Sequence, residues 1–198
     1  MSDASSTTHA ASRNASKGLP SSASWFAQRV IVGVGDMAVS NTAQAILSTY
    51  ALGSCIGVAA YDSTRKVAGL LHLMLPDSTI SPAKASAQPA MFADTGLRQF
   101  FQQLFVFGAK PAHLQLFVAG GAKVFGGADL FRIGARNTEA TLEFLGRHSL
   151  RIAFSDLGGS YNRTLHLEVA SGQITLKTPH AENQVSLSPH CAGAPVPA

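Results

Sequence analysis

The sequence predicts an α+β domain. Seven short apolar runs bounded by Gly, Pro or polar residues read as strands, and only two stretches carry helical spacing. At least two strand pairs are joined by connections too short for a crossover helix, which argues against a strictly alternating α/β fold. The chain has 198 residues, 46% of them hydrophobic and 13% charged, which suits a single globular domain poor in charge.

In order, Arg29–Gly33 reads as a strand, and 54–61 (SCIGVAAY) and 66–75 (KVAGLLHLML) as two more, the latter closed by Pro76. Residues 77–90, with Pro82, Pro89 and several small residues, read as a loop. From Met91 to Phe107, Phe92, Leu97, Phe100, Phe101, Leu104 and Phe105 recur at helical spacings, so a helix packs on the sheet and stops at Gly108. A strand at 113–118 leads into a Gly-rich stretch, 120–127. Asn137–Leu145 reads as the second main helix, capped by Asn137 or Thr138. Strands follow at 150–154, 164–169 and 173–176, with Asp156–Ser160 as a turn.

The ends differ from the core. Residues 1–24 hold fifteen Ser, Thr or Ala and one Leu, too little apolar surface to offset the entropy of ordering, so a disordered N-terminal tail is expected. Residues 182–198, with Pro189, Pro195 and Pro197, read as a disordered C-terminal tail, leaving 25–181 as the folded domain. The two cysteines, Cys55 among apolar residues and Cys191 in the tail, make no disulfide framework. No signal-peptide core and no run of about 18 apolar residues occurs, so a soluble cytoplasmic protein without membrane insertion is expected. Thirteen basic and nine acidic residues between 25 and 181 keep the formal charge of +4, but no Lys/Arg cluster could track a phosphate backbone. An acidic protein partner is therefore favoured over nucleic acid.

Gly33-Val-Gly35-Asp-Met-Ala38 matches G-x-G-x-x-A after a strand. No carboxylate follows about 20 residues later to hold a ribose, and turn and cap residues at 39–41 leave no room for an immediate helix. It reads as a plain strand-to-loop turn. His113, His148 and His166 have no ligand-spaced partners, so neither a metal nor a cofactor is expected.

The chemistry points to Cys55 and His72. If 62–65 is a four-residue hairpin loop, Tyr61 pairs with Lys66 and Cys55 falls directly opposite His72, with Cβ atoms about 4.5–5.5 Å apart. An imidazole at that distance can serve a thiol nucleophile: a neighbouring imidazolium pulls a thiol down from roughly 8.5. Gly53 and Gly57 would admit a substrate close to backbone, and nearby N–H groups could hold an oxyanion. Thr49 and Ser54 are the nearest hydroxyls to orient the ring. A structural Cys and a core His remain the alternative. The pattern Gly53-Ser-Cys-Ile-Gly57 also fits a nucleophile elbow, less well, because only one short strand clearly precedes it.

At these residues the sequence resembles the chemoreceptor glutamine deamidase family, CheD. The resemblance rests on Gly35-Asp36-Met37, Leu52-Gly-Ser-Cys55 with Tyr61-Asp62, and Gly69-Leu-Leu-His72-Leu-Met-Leu-Pro76. It continues through Lys123-Val-Phe-Gly-Gly-Ala128, Ile133-Gly-Ala-Arg-Asn137 and Asp156-Leu-Gly-Gly159, covering about residues 30–176 in family order. It implies a compact single-domain sandwich with mixed or antiparallel sheets. It further implies hydrolysis of glutamine amides in methyl-accepting chemoreceptors to glutamate and ammonia, with cleavage of receptor methyl esters as a related reaction.

By the same resemblance Cys55 is the nucleophile, His72 the base and Thr49 the orienting residue. Methyl-accepting chemoreceptors are the implied partners, and a CheC-type chemotaxis phosphatase a further one. A non-enzymatic adaptor binding receptor or phosphatase is the competing function, and a hydrolase of small esters or amides a third. Phe92 stands where the family pattern leads one to expect Tyr. Gly120, Gly121, Gly126 and Gly127 either line the mouth of the site or only make tight turns.

Overall fold

The computed structural model describes residues 28–123 and 131–187. The chain begins with β1 (Gln28–Ile31), β2 (Asp36–Ser40), β3 (Ala45–Leu52), β4 (Ile56–Asp62) and β5 (Val67–Leu73). Next come α1 (Pro82–Ala87), α2 (Ala93–Val106), β6 (Leu114–Gly120) and α3 (Ile133–Arg147). It closes with β7 (Ile152–Leu157), β8 (Arg163–Glu168), β9 (Gln173–Lys177) and β10 (Glu182–Ser186).

Two five-stranded mixed sheets result, in the orders β1-β3-β8-β9-β10 and β2-β5-β4-β6-β7. Only β1 with β3 and β6 with β7 pair in parallel. The second sheet is the middle layer. On one face Val58, Ala60, Leu71 and Leu73 meet Leu97, Phe100 and Leu104 of α2 and Leu145 of α3. On the other, Ala59, Tyr61, Leu70 and Phe117 meet Leu47, Leu165, Leu167 and Ile174 of the first sheet. Burial on both faces is why β4 and β5 are continuous apolar runs, whereas β8, with one outer face, alternates. Each such Leu or Phe contributes about 1.5–3 kcal/mol by leaving water.

The expected α+β sandwich with two main helices is present, and several boundaries move. β2 and β3 add two strands before Cys55. β2 is a half-exposed edge strand behind a Gly turn, and β3 places the polar Thr49 on its buried face, so neither shows a clean apolar period. The 77–90 loop contains α1 and short 3-10 turns at 78–80 and 89–91. α3 begins at Ile133, so Asn137 is an interior helix residue rather than a cap. Glu182–Ser186, expected in the C-terminal tail, form β10 on β9, and Leu187 is fully buried beneath it. The two tails, 1–24 and 188–198, lie outside the described residues, as do Gly126 and Gly127.

Hairpin register is also corrected. Asp62 pairs with Val67, and the four-residue loop is 63–66. Asp62 belongs to the strand because its carboxylate caps the turn: Oδ1 accepts from the N–H groups of Thr64 and Arg65, and Oδ2 from that of Lys110. His72 therefore stands opposite Gly57, not Cys55. The shift is by two positions in the pairing, so Cys55, Gly57 and His72 keep one face, and Cys55 becomes a diagonal neighbour of His72.

Candidate active site

His72 lies on the face of β5 turned toward the first sheet, with Ala68 and Leu70, and β3 brings Thr49 to it from that sheet. Both residues are buried. Thr49 Oγ1 is 2.8 Å from the Val32 carbonyl oxygen and 2.7 Å from His72 Nδ1. The carbonyl only accepts, so the single hydroxyl proton of Thr49 goes to Val32 and its oxygen accepts from Nδ1–H. That leaves Nε2 with the lone pair, and Nε2 is buried with no hydrogen-bond partner among the described residues. Burial lowers the His72 pKa to about 4, so the ring is neutral at pH 7.

Cys55 sits two residues before Gly57, in the bend between β3 and β4, and is partly buried. Burial pushes its thiol upward, partly countered by its own backbone N–H. Burial thus disfavours charge on both the thiol and the imidazole, against the thiolate–imidazolium pair considered from sequence.

The bend itself is pinned on one side. The carbonyls of Gly53, Ser54 and Cys55 accept from Ala122 N–H (2.8 Å), Asn137 Nδ2 (2.9 Å) and Gly121 N–H (2.9 Å). Gly120 adopts φ +119°, and a Cβ there would collide with the Cys55 carbonyl, so the glycine is what lets β6 pass so close. In a trans peptide N–H points away from C=O, so the N–H groups of Ser54 and Cys55 face away from these anchors.

The remaining sequence candidates fall as follows. Gly57 does not open the backbone to a ligand: the Leu52 side chain fills the space, 2.8 Å from where a Cβ would stand. Ser54 leaves the ring to Thr49, and its carbonyl serves Asn137. Gly35 leads straight into β2, and Asp36 pairs with His72, so the early glycines turn a chain between strands. Phe92 is fully buried beside Leu75. Cys55 enters a strand rather than a helix, unlike a nucleophile elbow. Sequence reasoning missed Val32 and Asn137: a backbone carbonyl leaves no signal, and Asn137 looked like a cap.

Among the described residues no group of three or more His, Cys, Asp or Glu side chains is placed to hold a metal, and no helix is long and apolar enough to cross a membrane.

Two mixed sheets with helices on one outer face define a class: an α+β sandwich domain, here with a thiol in a pinned bend and a buried imidazole held by a threonine hydroxyl on the same face of the middle sheet. Comparison with known proteins narrows the class. The family described as "CheD chemotactic sensory transduction" matches residues 74–178, from just after β5 to just after β9. The "Probable chemoreceptor glutamine deamidase CheD 1" of Syntrophus aciditrophicus (strain SB) is 43% identical over 149 residues, 75% of this chain and 93% of that protein. The "Probable chemoreceptor glutamine deamidase CheD" of Solibacter usitatus (strain Ellin6076) is 41% identical over 150 residues, 76% of this chain and 89% of that protein. The chain belongs to the CheD family.

Proposed function

We propose that this protein hydrolyses the side-chain amide of glutamines in methyl-accepting chemoreceptors, giving glutamate and ammonia, with Cys55 as nucleophile, His72 as base and Thr49 as its orienter. The observation that carries the reading is the Thr49–His72 bond, which occupies Nδ1 and leaves Nε2, without a partner among the described residues, as the ring nitrogen available on the face that Cys55 shares.

From the neutral pair, Nε2 takes the S–H proton as sulfur adds to the amide carbon. The N–H groups of Ser54 and Cys55 are the candidates for holding the oxyanion. Imidazolium returns its proton to the amine, the C–N bond breaks, ammonia leaves and a thioester remains. Nε2 then deprotonates a water that adds to the thioester, and the sulfur leaves with the proton, regenerating the thiol and leaving a glutamate side chain in the receptor. Nδ1–H stays on Thr49 throughout. No cofactor takes part. A glutamate methyl ester passes through the same thioester with methanol departing. Receptor cytoplasmic segments are the substrate, which puts the working enzyme in the cytoplasm, and a CheC-type phosphatase is the second partner suggested by family membership.

Mass spectrometry of a receptor fragment incubated with the protein tests this, because each deamidation adds about one dalton. Wild type is expected to add it at specific glutamines, and Cys55→Ala and His72→Ala to add none. Unchanged deamidation by either variant refutes the assignment, and a fragment bound but unmodified by wild type indicates an adaptor.

A further inference from the structure

Asn137 spans the two strands that carry the thiol and the imidazole. Its Nδ2 donates to the Ser54 carbonyl at 2.9 Å and to the Met74 carbonyl at 2.8 Å. Ser54 precedes Cys55, and Met74 follows His72 by two residues. Both donors of one amide are used, and the orientation is fixed, because a flipped amide would set its oxygen against two carbonyls.

The β4–β5 ladder ends at Ile56 with Leu73. Continued in register, the next pair would be Cys55 with Met74, yet those backbones do not pair: Met74 N–H turns to the Met91 carbonyl, and the Cys55 carbonyl to Gly121. Asn137 stands in for the missing rung. It ties the start of β4 to the end of β5 by a side chain where their ladder stops, which keeps the two strands from splaying while the Cys55 carbonyl stays bonded to Gly121.

The amide is itself held firmly. Asn137 is fully buried in α3, and one turn earlier Gly134 lets the helix press on the chain leaving β6: a Cβ there would lie 2.6 Å from the Gly121 carbonyl oxygen. Gly121 and Ala122 are the residues whose N–H groups pin the Cys55 and Gly53 carbonyls. One helix therefore sets the bend from two directions.

We propose that Asn137 is a positioning residue that fixes the separation of Cys55 and His72 through this pair of hydrogen bonds. The inference rests on the reading of those two residues as nucleophile and base. It predicts that Asn137→Asp, equal in size but without donors, and Asn137→Ala bind receptor normally and turn it over slowly.

The test is steady-state ammonia release by the full chain on a receptor cytoplasmic fragment, with circular dichroism to establish folding and Cys55→Ala alongside. For folded variants kcat is expected to fall by about 100-fold, as misplacement by about an ångström does, with KM within about threefold. The acid limb of the pH profile should stay where wild type has it, since the Thr49 bond is untouched. A limb that moves toward the ordinary histidine range indicates general loosening and overturns the proposal, as does kcat within about threefold of wild type. If Asn137→Asp fails to fold, the uncharged Asn137→Ala and Asn137→Ser carry the same expectation. In the wild-type protein the Asn137 carboxamide protons should exchange slowly with solvent, and rapid exchange also overturns the proposal. Activity retained in Cys55→Ala instead defeats the reading of the nucleophile, which separates the two failures.

Discussion

Thr49 Oγ1 stands 2.7 Å from His72 Nδ1 while donating its only proton to the Val32 carbonyl 2.8 Å away. A carbonyl just after β1 thus dictates which nitrogen of a ring on another sheet carries a proton. The hydroxyl is neutral, so it aims the ring without stabilising imidazolium as a carboxylate would. That agrees with a His72 pKa lowered to about 4 by burial.

Thr49→Val keeps the volume and removes the relay. Nδ1–H and the Val32 carbonyl then lose their partners, which costs about 1–3 kcal/mol for a buried group left unsatisfied. Both ring tautomers become accessible, so deamidation should fall by about 10–100-fold. Thr49→Ser restores the hydroxyl and most of the rate. Urea unfolding and ammonia release measure the two effects, and a Thr49→Val enzyme as fast as wild type would disprove the orienting role.

The pH dependence follows from the same burial. A histidine held near 4 in the fold but near 6.5 unfolded binds fewer protons in the native state between those values. Stability is therefore fully present above about pH 6.5 and declines as pH falls toward 4, by on the order of 3 kcal/mol in total. His72→Gln should flatten that part of the curve. In the active enzyme the acid limb of the rate should lie near 4 rather than 6.5. With the Cys55 thiol raised by burial, its alkylation by iodoacetamide should keep rising above the ordinary thiol range. Alkylation that plateaus near neutral pH would show a resting thiolate and contradict this.

Much of the middle layer is legible in the sequence because it is buried on both faces: 56–62 and 67–73 can only be apolar strands. The Cys55–His72 register was misread by one step per strand, because Asp62 looks like a loop residue until its carboxylate is seen capping the turn. The error preserved the face, since the side-chain period is two. β3 does not stand out in the sequence because its inward series of Ala45, Leu47 and Thr49 ends on a polar residue. Asn137 was misassigned because Asn favours caps, and only the fold brings Ser54 and Met74 to one amide.

Two glycines that look alike in sequence should fail differently. At Gly69 an added Cβ would lie 2.7 Å from Phe100 Cε2 and 2.9 Å from Leu104 Cδ2, so Gly69→Ala pushes α2 off the middle sheet. Overpacking of this kind costs about 1–3 kcal/mol. Enzyme that remains folded should keep its rate. Gly120→Ala meets the Cys55 carbonyl, which is backbone, in a left-handed conformation at φ +119°. It should displace the bend and abolish turnover even where the protein folds. Thermal melts paired with rates per folded molecule distinguish the two, and equal specific rates would refute the assignment of Gly120.

β10 provides the last prediction. Leu187 is fully buried, and its N–H donates to the Gly172 carbonyl at 3.0 Å, so the strand is closed by an apolar anchor rather than left to fray. Glu182–Ser186 present few apolar residues, and Lys177 with Glu182, half-exposed at 3.0 Å, contributes at most about 1 kcal/mol. The anchor should therefore carry most of the docking energy. Leu187→Ala removes a buried side chain from a packed site, an expected loss of about 2–5 kcal/mol. Glu182→Gln should cost little. Hydrogen exchange on the Leu187→Ala protein should show β10 amides losing protection while those of β4 and β5 keep theirs, because β4 and β5 are hydrogen-bonded at the centre of the other sheet and β10 is an edge strand. A Leu187→Ala protein as stable as Glu182→Gln would mean that β10 adds nothing to the fold.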